Sequence, residues 1–125
     1  METGRKYTSQ TVVTESITAK SVGSGDLSVL ATPAMVALME NAAMNAVAEA
    51  LEPSQTTVGS EISTTHLRPT PEGAVVRATA TLVAVEGRKL SFEVVAEDAQ
   101  GIIGEGKHTR YIVDRERFMA KMVAQ

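Results

Sequence analysis

The stretch LATPAMVALMENAAMNAV, residues 30–47, decides how the rest of the chain is read. It is rich in alanine, methionine and valine, contains no glycine, and has Thr32-Pro33 near its start. A threonine oxygen can cap orphan backbone donors, and proline's fixed φ suits the first helical position. The pattern predicts one helix from Pro33 to about Leu51, ending before Pro53. At about 3.6 residues per turn, Asn41, Asn45, Glu49 and Glu52 gather on one side as a solvent-facing stripe. Glu40 stands outside that stripe. Its neighbours three and four positions away are Val36, Ala37, Ala43 and Met44, so the carboxylate leaves the backbone on an apolar face. An ionised group there is costly unless it is hydrogen-bonded. Glu40 is therefore either functional or tied to a helix-edge arginine or a loop backbone.

Outward from the helix the periodicity changes. QTVVTESITAK (10–20) carries β-branched residues in partial alternation and reads as a strand, with SVGSGDLS as the connection after it. Beyond the helix, TTVGSEISTTHLRP places Val58, Ile62, Thr64 and His66 on one face. AVVRATATLVAVE does the same for Val76, Ala78, Ala80, Leu82 and Ala84. EGRK is a hairpin link into LSFEVVAED, where Leu90, Phe92, Val94 and Ala96 alternate, and AQG links that strand to IIGEGKHTRYIV. In DRERFMAKMVA, Asp114 can cap a short helix whose stripe of Phe118, Met119, Met122 and Val123 predicts docking against the body. The order is β-α-β-β-β-β plus a short C-terminal helix. With 125 residues, one domain is expected. One long apolar helix against successive antiparallel strands is an α+β arrangement in which the sheet curls round the helix.

Composition narrows the function. The formal net charge is −3 and the basic residues are scattered, which argues against a nucleic-acid or anionic-membrane partner. The absence of cysteine removes thiol nucleophiles, disulfides and cysteinyl metal sites, and fits a cytoplasmic location. Two histidines are too few for a multi-histidine metal centre within one chain, and no metal or cofactor is expected. With only two tyrosines and two phenylalanines, the core is aliphatic, and Met35, Met39 and Met44 are expected to fill it.

Two residues compete for attention beside Glu40. His66 shares a strand face with Val58 and Ile62, so an imidazole and a carboxylate both point toward the helix–sheet interior. Thr32 is explained as a cap, yet a hydroxyl at a helix N-terminus can also bind a carbonyl oxygen or water. Eight residues of helix place Thr32 and Glu40 roughly 12 Å apart along the axis. They therefore act from opposite ends of one site, or the site is assembled from two subunits. His108 is a weaker candidate, and Gly101, Gly104 and Gly106 suggest a bulge or close packing rather than a nucleotide loop.

LATPAMVALMEN, then TTVGSEISTTHLRPTPEG, then VEGRKLSFEVVAEDAQGIIGEGKHTRYIVDRERF resemble the hot-dog-fold acyl-CoA thioesterases, in the fluoroacetyl-CoA thioesterase-like branch. The likeness runs from about residue 10 to 120. It implies a hot-dog fold, an acyl-CoA substrate, and active sites at the interface of a homodimer, with a tetramer as the alternative. It implies catalytic roles for Thr32, Glu40 and His66, a place for the Gly59 backbone beside the thioester carbonyl, and a place for Arg110 near the coenzyme A moiety. The fluoroacetyl-specific branch uses an aromatic lid, whereas SVGSGDLSVLA before Thr32 holds no aromatic residue, so a general short-chain thioesterase is expected. The alternatives on the same fold are an enoyl-CoA hydratase or dehydratase, a non-catalytic acyl-CoA-binding dimer, and a structural dimer in which Glu40 pairs with His66.

Overall fold

A computed structural model describes residues 1–125. In chain order the elements are β1 (Lys6–Val12), a short helix α1 (Ala19–Val22), the long helix α2 (Thr32–Val47), β2 (Gln55–Thr64), β3 (Val75–Glu86), β4 (Lys89–Asp98), β5 (Gly101–Asp114) and α3 (Arg115–Ala120). The strands form one antiparallel sheet in the order β1-β3-β4-β5-β2, so β1 and β2 are its free edges. The sheet wraps α2, which lies mainly against β1 and β3 and more lightly against β4 and β2. No helix is long and apolar enough to cross a membrane.

The core is the apolar side of α2 pressed on the inner faces of β3 and β4. Met35, Met39, Ala42 and Ala43 meet Val76, Ala78, Ala80, Leu82, Leu90, Phe92, Val94 and Ala96, all essentially without solvent contact. Burying each of the larger side chains contributes about 2 kcal/mol of transfer free energy. Alanines along β3 let the helix approach the sheet closely, and the two methionines fill what remains. Met44 departs from expectation: it is 38% exposed on the open side of the helix.

Several expectations are corrected. The first strand is Lys6–Val12 rather than residues 10–20, because Thr18 caps α1 by accepting a hydrogen bond from the Ser21 backbone, and Gly23 ends that turn at φ 90°. The long helix is regular only to Val47, and a 3-10 turn over Ala48–Ala50 completes it before Pro53. Bulges change two strand faces. In β2 the register shifts between Gly59 and Glu61, so Thr57 and Gly59 share the inner face with Ile62 and Thr64, and Val58 turns to the other side. In β3 the shift between Leu82 and Ala84 hands the inner face to Val85 instead of Ala84. Asp114 does cap α3 through the Arg117 backbone, but Phe118, Met119, Met122 and Val123 remain exposed and the helix does not dock by that stripe.

The two central glycines of β5 are explained by close packing. A Cβ on Gly106 would overlap the Ser63 carbonyl, and one on Gly104 would overlap the Thr65 carbonyl. Their absence lets the chain after β2 run on tightly beside β5, with the Thr65 and Leu67 amides donating to the Glu105 and Ile103 carbonyls at 3.0 and 2.8 Å. That segment carries His66, which therefore lies beyond the strand and not on it.

Candidate active site

The structure gathers the predicted residues into two groups. The first sits at the N-terminus of α2. The Leu30 amide donates to the Thr70 carbonyl at 2.9 Å, and Val29 bridges Pro71, so the loop entering α2 is stapled to the segment leaving His66. Ala31, not Thr32, occupies the N-cap position, and Thr32 is the first helical residue with Pro33 after it. Its hydroxyl is thus free of capping duty and lies 2.7 Å from His66 Nδ1. A cavity of about 250 Å³ opens here, walled by Val29, Leu30, Leu67 and Pro69 and reached by Thr32 and His66.

Burial holds the His66 pKa below its ordinary value, opposed by the backbone of Arg68. The positive end of the helix dipole also favours a neutral imidazole. Neutral His66 with its Nδ1 lone pair toward Thr32 accepts the hydroxyl proton, an arrangement suited to polarising that hydroxyl or relaying a proton. His66 Nε2 is the one buried side-chain nitrogen or oxygen in the chain without a hydrogen-bond partner. Such a group is normally satisfied by something outside the chain or by water.

The second group lies further along α2, against β2 and β5. Glu40, Gly59 and Arg110 line an open groove of about 470 Å³ together with Asn41, Met44 and Thr57. A Cβ built on Gly59 would stand 3.1 Å from Glu40 Oε2, 3.2 Å from His108 Cε1 and 3.3 Å from Arg110 Nη1. Glycine leaves room here: a Cβ would press on the corner where these three side chains meet and oblige them to move by a few tenths of an ångström. Arg110 is only 7% exposed, and burial lowers its pKa against the opposing charge of Glu40.

Two expectations about Glu40 and His66 are therefore overturned. Glu40 is half-buried beside a groove rather than sunk in the core, because Ala37 and Met44 on its side of the helix are themselves exposed. It does not share a cavity with His66: the two line different openings at different levels of α2. His108, ranked low from sequence, is 2% exposed and in contact with Arg110. The alternation of His108 and Arg110 on β5 would have placed them on one face, had that strand's inner side been read polar as well as apolar.

The comparisons with known proteins bear on the family and the fold. The profile of the family described as "FlK: Fluoroacetyl-CoA-specific thioesterase" matches residues 13–116. A fluoroacetyl-CoA thioesterase from Streptantibioticus cattleyicolor is 46% identical over 94 residues, covering 75% of this chain and 68% of that one. A solved structure of a FlK variant in complex with acetyl-CoA is 38% identical, covers 97% of this chain and 96% of its own, and superposes with a TM-score of 0.91. A hot-dog-like protein from Thermanaerovibrio acidaminovorans, at 21% identity, covers all of this chain and 96% of its own with a TM-score of 0.85, and shares the fold. The family model matched over residues 13–116, the 46% identical relative and the shared curled antiparallel sheet around one helix place the chain in the fluoroacetyl-CoA-specific thioesterase family, thioester hydrolases of the hot-dog fold.

Proposed function

We propose that the protein hydrolyses coenzyme A thioesters of small acyl groups as a homodimer in the cytoplasm, each active site combining the Thr32–His66 pair of one subunit with the Glu40–Gly59–Arg110 groove of the other. The observation that carries this reading is the separation of the two groups into different openings of one chain. Neither opening is a complete thioesterase site. The first has a hydroxyl and an imidazole without a carboxylate, and the second has a carboxylate and a cation without an exchangeable relay. The free edge of β2 supports the pairing, since an antiparallel copy can extend the sheet there and bring the two α2 helices side by side.

In this arrangement Glu40 drives attack on the thioester carbonyl carbon, directly or through a water, and the Gly59 backbone amide faces the developing oxyanion. The carbon–sulfur bond then breaks, coenzyme A leaves as the thiolate, and the proton that water gives up reaches it through the Thr32–His66 pair, with Thr32 orienting the reacting groups. Arg110 lies toward the coenzyme A portion. A cavity of about 250 Å³ beside Thr32 and His66 suits an acyl chain of a few carbons, with Val29, Leu30 and Leu67 as apolar wall and Ser24 and Arg68 as polar lining. No aromatic residue stands in the loop that covers it, which supports a broad small-acyl scope rather than selectivity for fluoroacetyl.

Thiol release measured across an acyl-CoA panel tests the reading. Turnover is expected for acetyl- to butyryl-CoA, falling with longer chains, and fluoroacetyl-CoA should hold no advantage larger than about tenfold. Binding without thiol release would identify a non-catalytic acyl-CoA dimer, and hydration of an enoyl-CoA without release would identify the hydratase.

A further inference from the structure

The reaction as described leaves His108 idle, although it is one of the most buried polar groups in the chain. Its hydrogen bonds define its protonation state. Nδ1 lies 2.7 Å from the Glu61 carbonyl oxygen, which can only accept, so Nδ1 carries the proton. Nε2 lies 3.1 Å from Arg110 Nη1, and a guanidinium can only donate, so Nε2 offers its lone pair. The ring is therefore neutral. Arg110 is held on its other side by Thr57, to whose hydroxyl Nε donates at 2.8 Å and to whose carbonyl Nη2 donates at 3.0 Å. Three of the guanidinium's N–H groups are thus committed to protein. One on each terminal nitrogen is left for the groove that Glu40 and Gly59 line.

We propose that His108 is a positioning residue: as a neutral, Nδ1-protonated imidazole it fixes the tilt of the Arg110 guanidinium and so presents its two uncommitted N–H groups to the ligand groove. That the ligand is a coenzyme A thioester rests on the function proposed above, whereas the tautomer and the tie to Arg110 do not. The groups that face His108 are Arg110 on β5, the Glu61 carbonyl and Gly59 on β2, Glu40 on α2, and the Phe92 ring on β4 at 6.2 Å between centroids. Only Arg110 and Glu40 among them are charged. Burial holds His108 below its ordinary pKa of 6.5 with Arg110 adding to that effect, while the Glu61 carbonyl and Glu40 oppose it. Protonation would turn Nε2 into a second donor facing a donor, next to a cation, and the tie would break.

Long-range proton–nitrogen spectra read the tautomer directly, and with two histidines in the chain a His66→Gln variant identifies the His108 signals. The Nδ1–H neutral form is expected at about pH 7.5. Calorimetric binding of coenzyme A itself then reads the tie without any need for turnover. His108→Asn is expected to weaken binding about tenfold, and His108→Gln, whose amide oxygen can stand in for Nε2, to stay within about threefold of the parent. Arg110→Lys should lose a similar factor, with no further loss when combined with His108→Asn. Affinity of the parent should fall in step with His108 protonation as pH drops below about 6.5. An Nε2–H or charged ring at about pH 7.5, equal loss in the Asn and Gln variants, or additive losses with Arg110→Lys would overturn the proposal. Absence of thioester hydrolysis, with the tautomer and the coupling intact, would instead overturn the substrate reading and leave this one standing.

Discussion

Glu40→Gln is expected to lower kcat/KM for a small acyl-CoA by about a thousandfold while leaving the thermal midpoint within a degree or two of the parent. The two side chains have the same shape, so the packing beside Gly59 and Arg110 is little disturbed, while the negative charge and the capacity to attack or to take a proton are removed. Stability should hold because Glu40 lines an open groove and does not belong to the apolar cluster beneath it. Loss of the carboxylate also removes the nearest negative charge to the buried Arg110, so a modest gain in affinity for the anionic coenzyme A portion is consistent with the same picture. Turnover within tenfold of the parent would remove Glu40 from the chemistry.

His66→Ala is expected to lower kcat by about a hundredfold to a thousandfold, because Thr32 loses the acceptor 2.7 Å from its hydroxyl. The pH dependence separates this role from that of His108. Burial keeps the folded pKa of His66 below 6.5, so the neutral base is fully present above that value and is lost as pH falls through the folded pKa. The acid limb of kcat should therefore lie below about 6.5 and follow His66, whereas the limb in coenzyme A affinity should follow His108. Both histidines bind protons more readily in the unfolded chain. Their contribution to stability is thus complete above about 6.5 and declines toward acid. A His66→Ala variant with full turnover, or an acid limb of kcat lying above about pH 6.5 in the parent, would contradict the assignment.

The architecture was legible because the helix and the central strands obey simple periods. Met35, Met39, Ala42 and Ala43 lie where helical spacing puts them, and β4 buries Leu90, Phe92, Val94 and Ala96 as strict alternation requires. What alternation cannot register is the insertion of one residue. The bulge after Gly59 moved Val58 off the inner face, and the bulge after Leu82 replaced Ala84 with Val85.

Which residues line the two openings was more legible than how those openings are arranged. Thr32, Glu40, Gly59, His66 and Arg110 all reach one of two openings, yet reading Glu40 and His66 as partners in one interior assumed that a single chain closes around the helix. The exposed Ala37 and Met44 show that this side of α2 is left open. Threonine's capping preference points to Thr32 as the cap, but Ala31 holds that position and the Thr32 hydroxyl pairs with His66 instead. His108 went unvalued because its importance lies in two non-local bonds, to Glu61 and Arg110, that no spacing rule announces.

The claim on which the rest depends is that each active site draws Thr32 and His66 from one subunit and Glu40 from the other. Mixing the Glu40→Gln and His66→Ala proteins, with subunit exchange, tests it most directly. Random reassortment makes about half of the dimers mixed, and each mixed dimer holds one site with both residues intact. Thiol release should then recover to about a quarter of the parent's, from two proteins that are nearly inactive alone. If the mixture after complete exchange remains as inactive as its components, the site is built within one chain and the account is wrong.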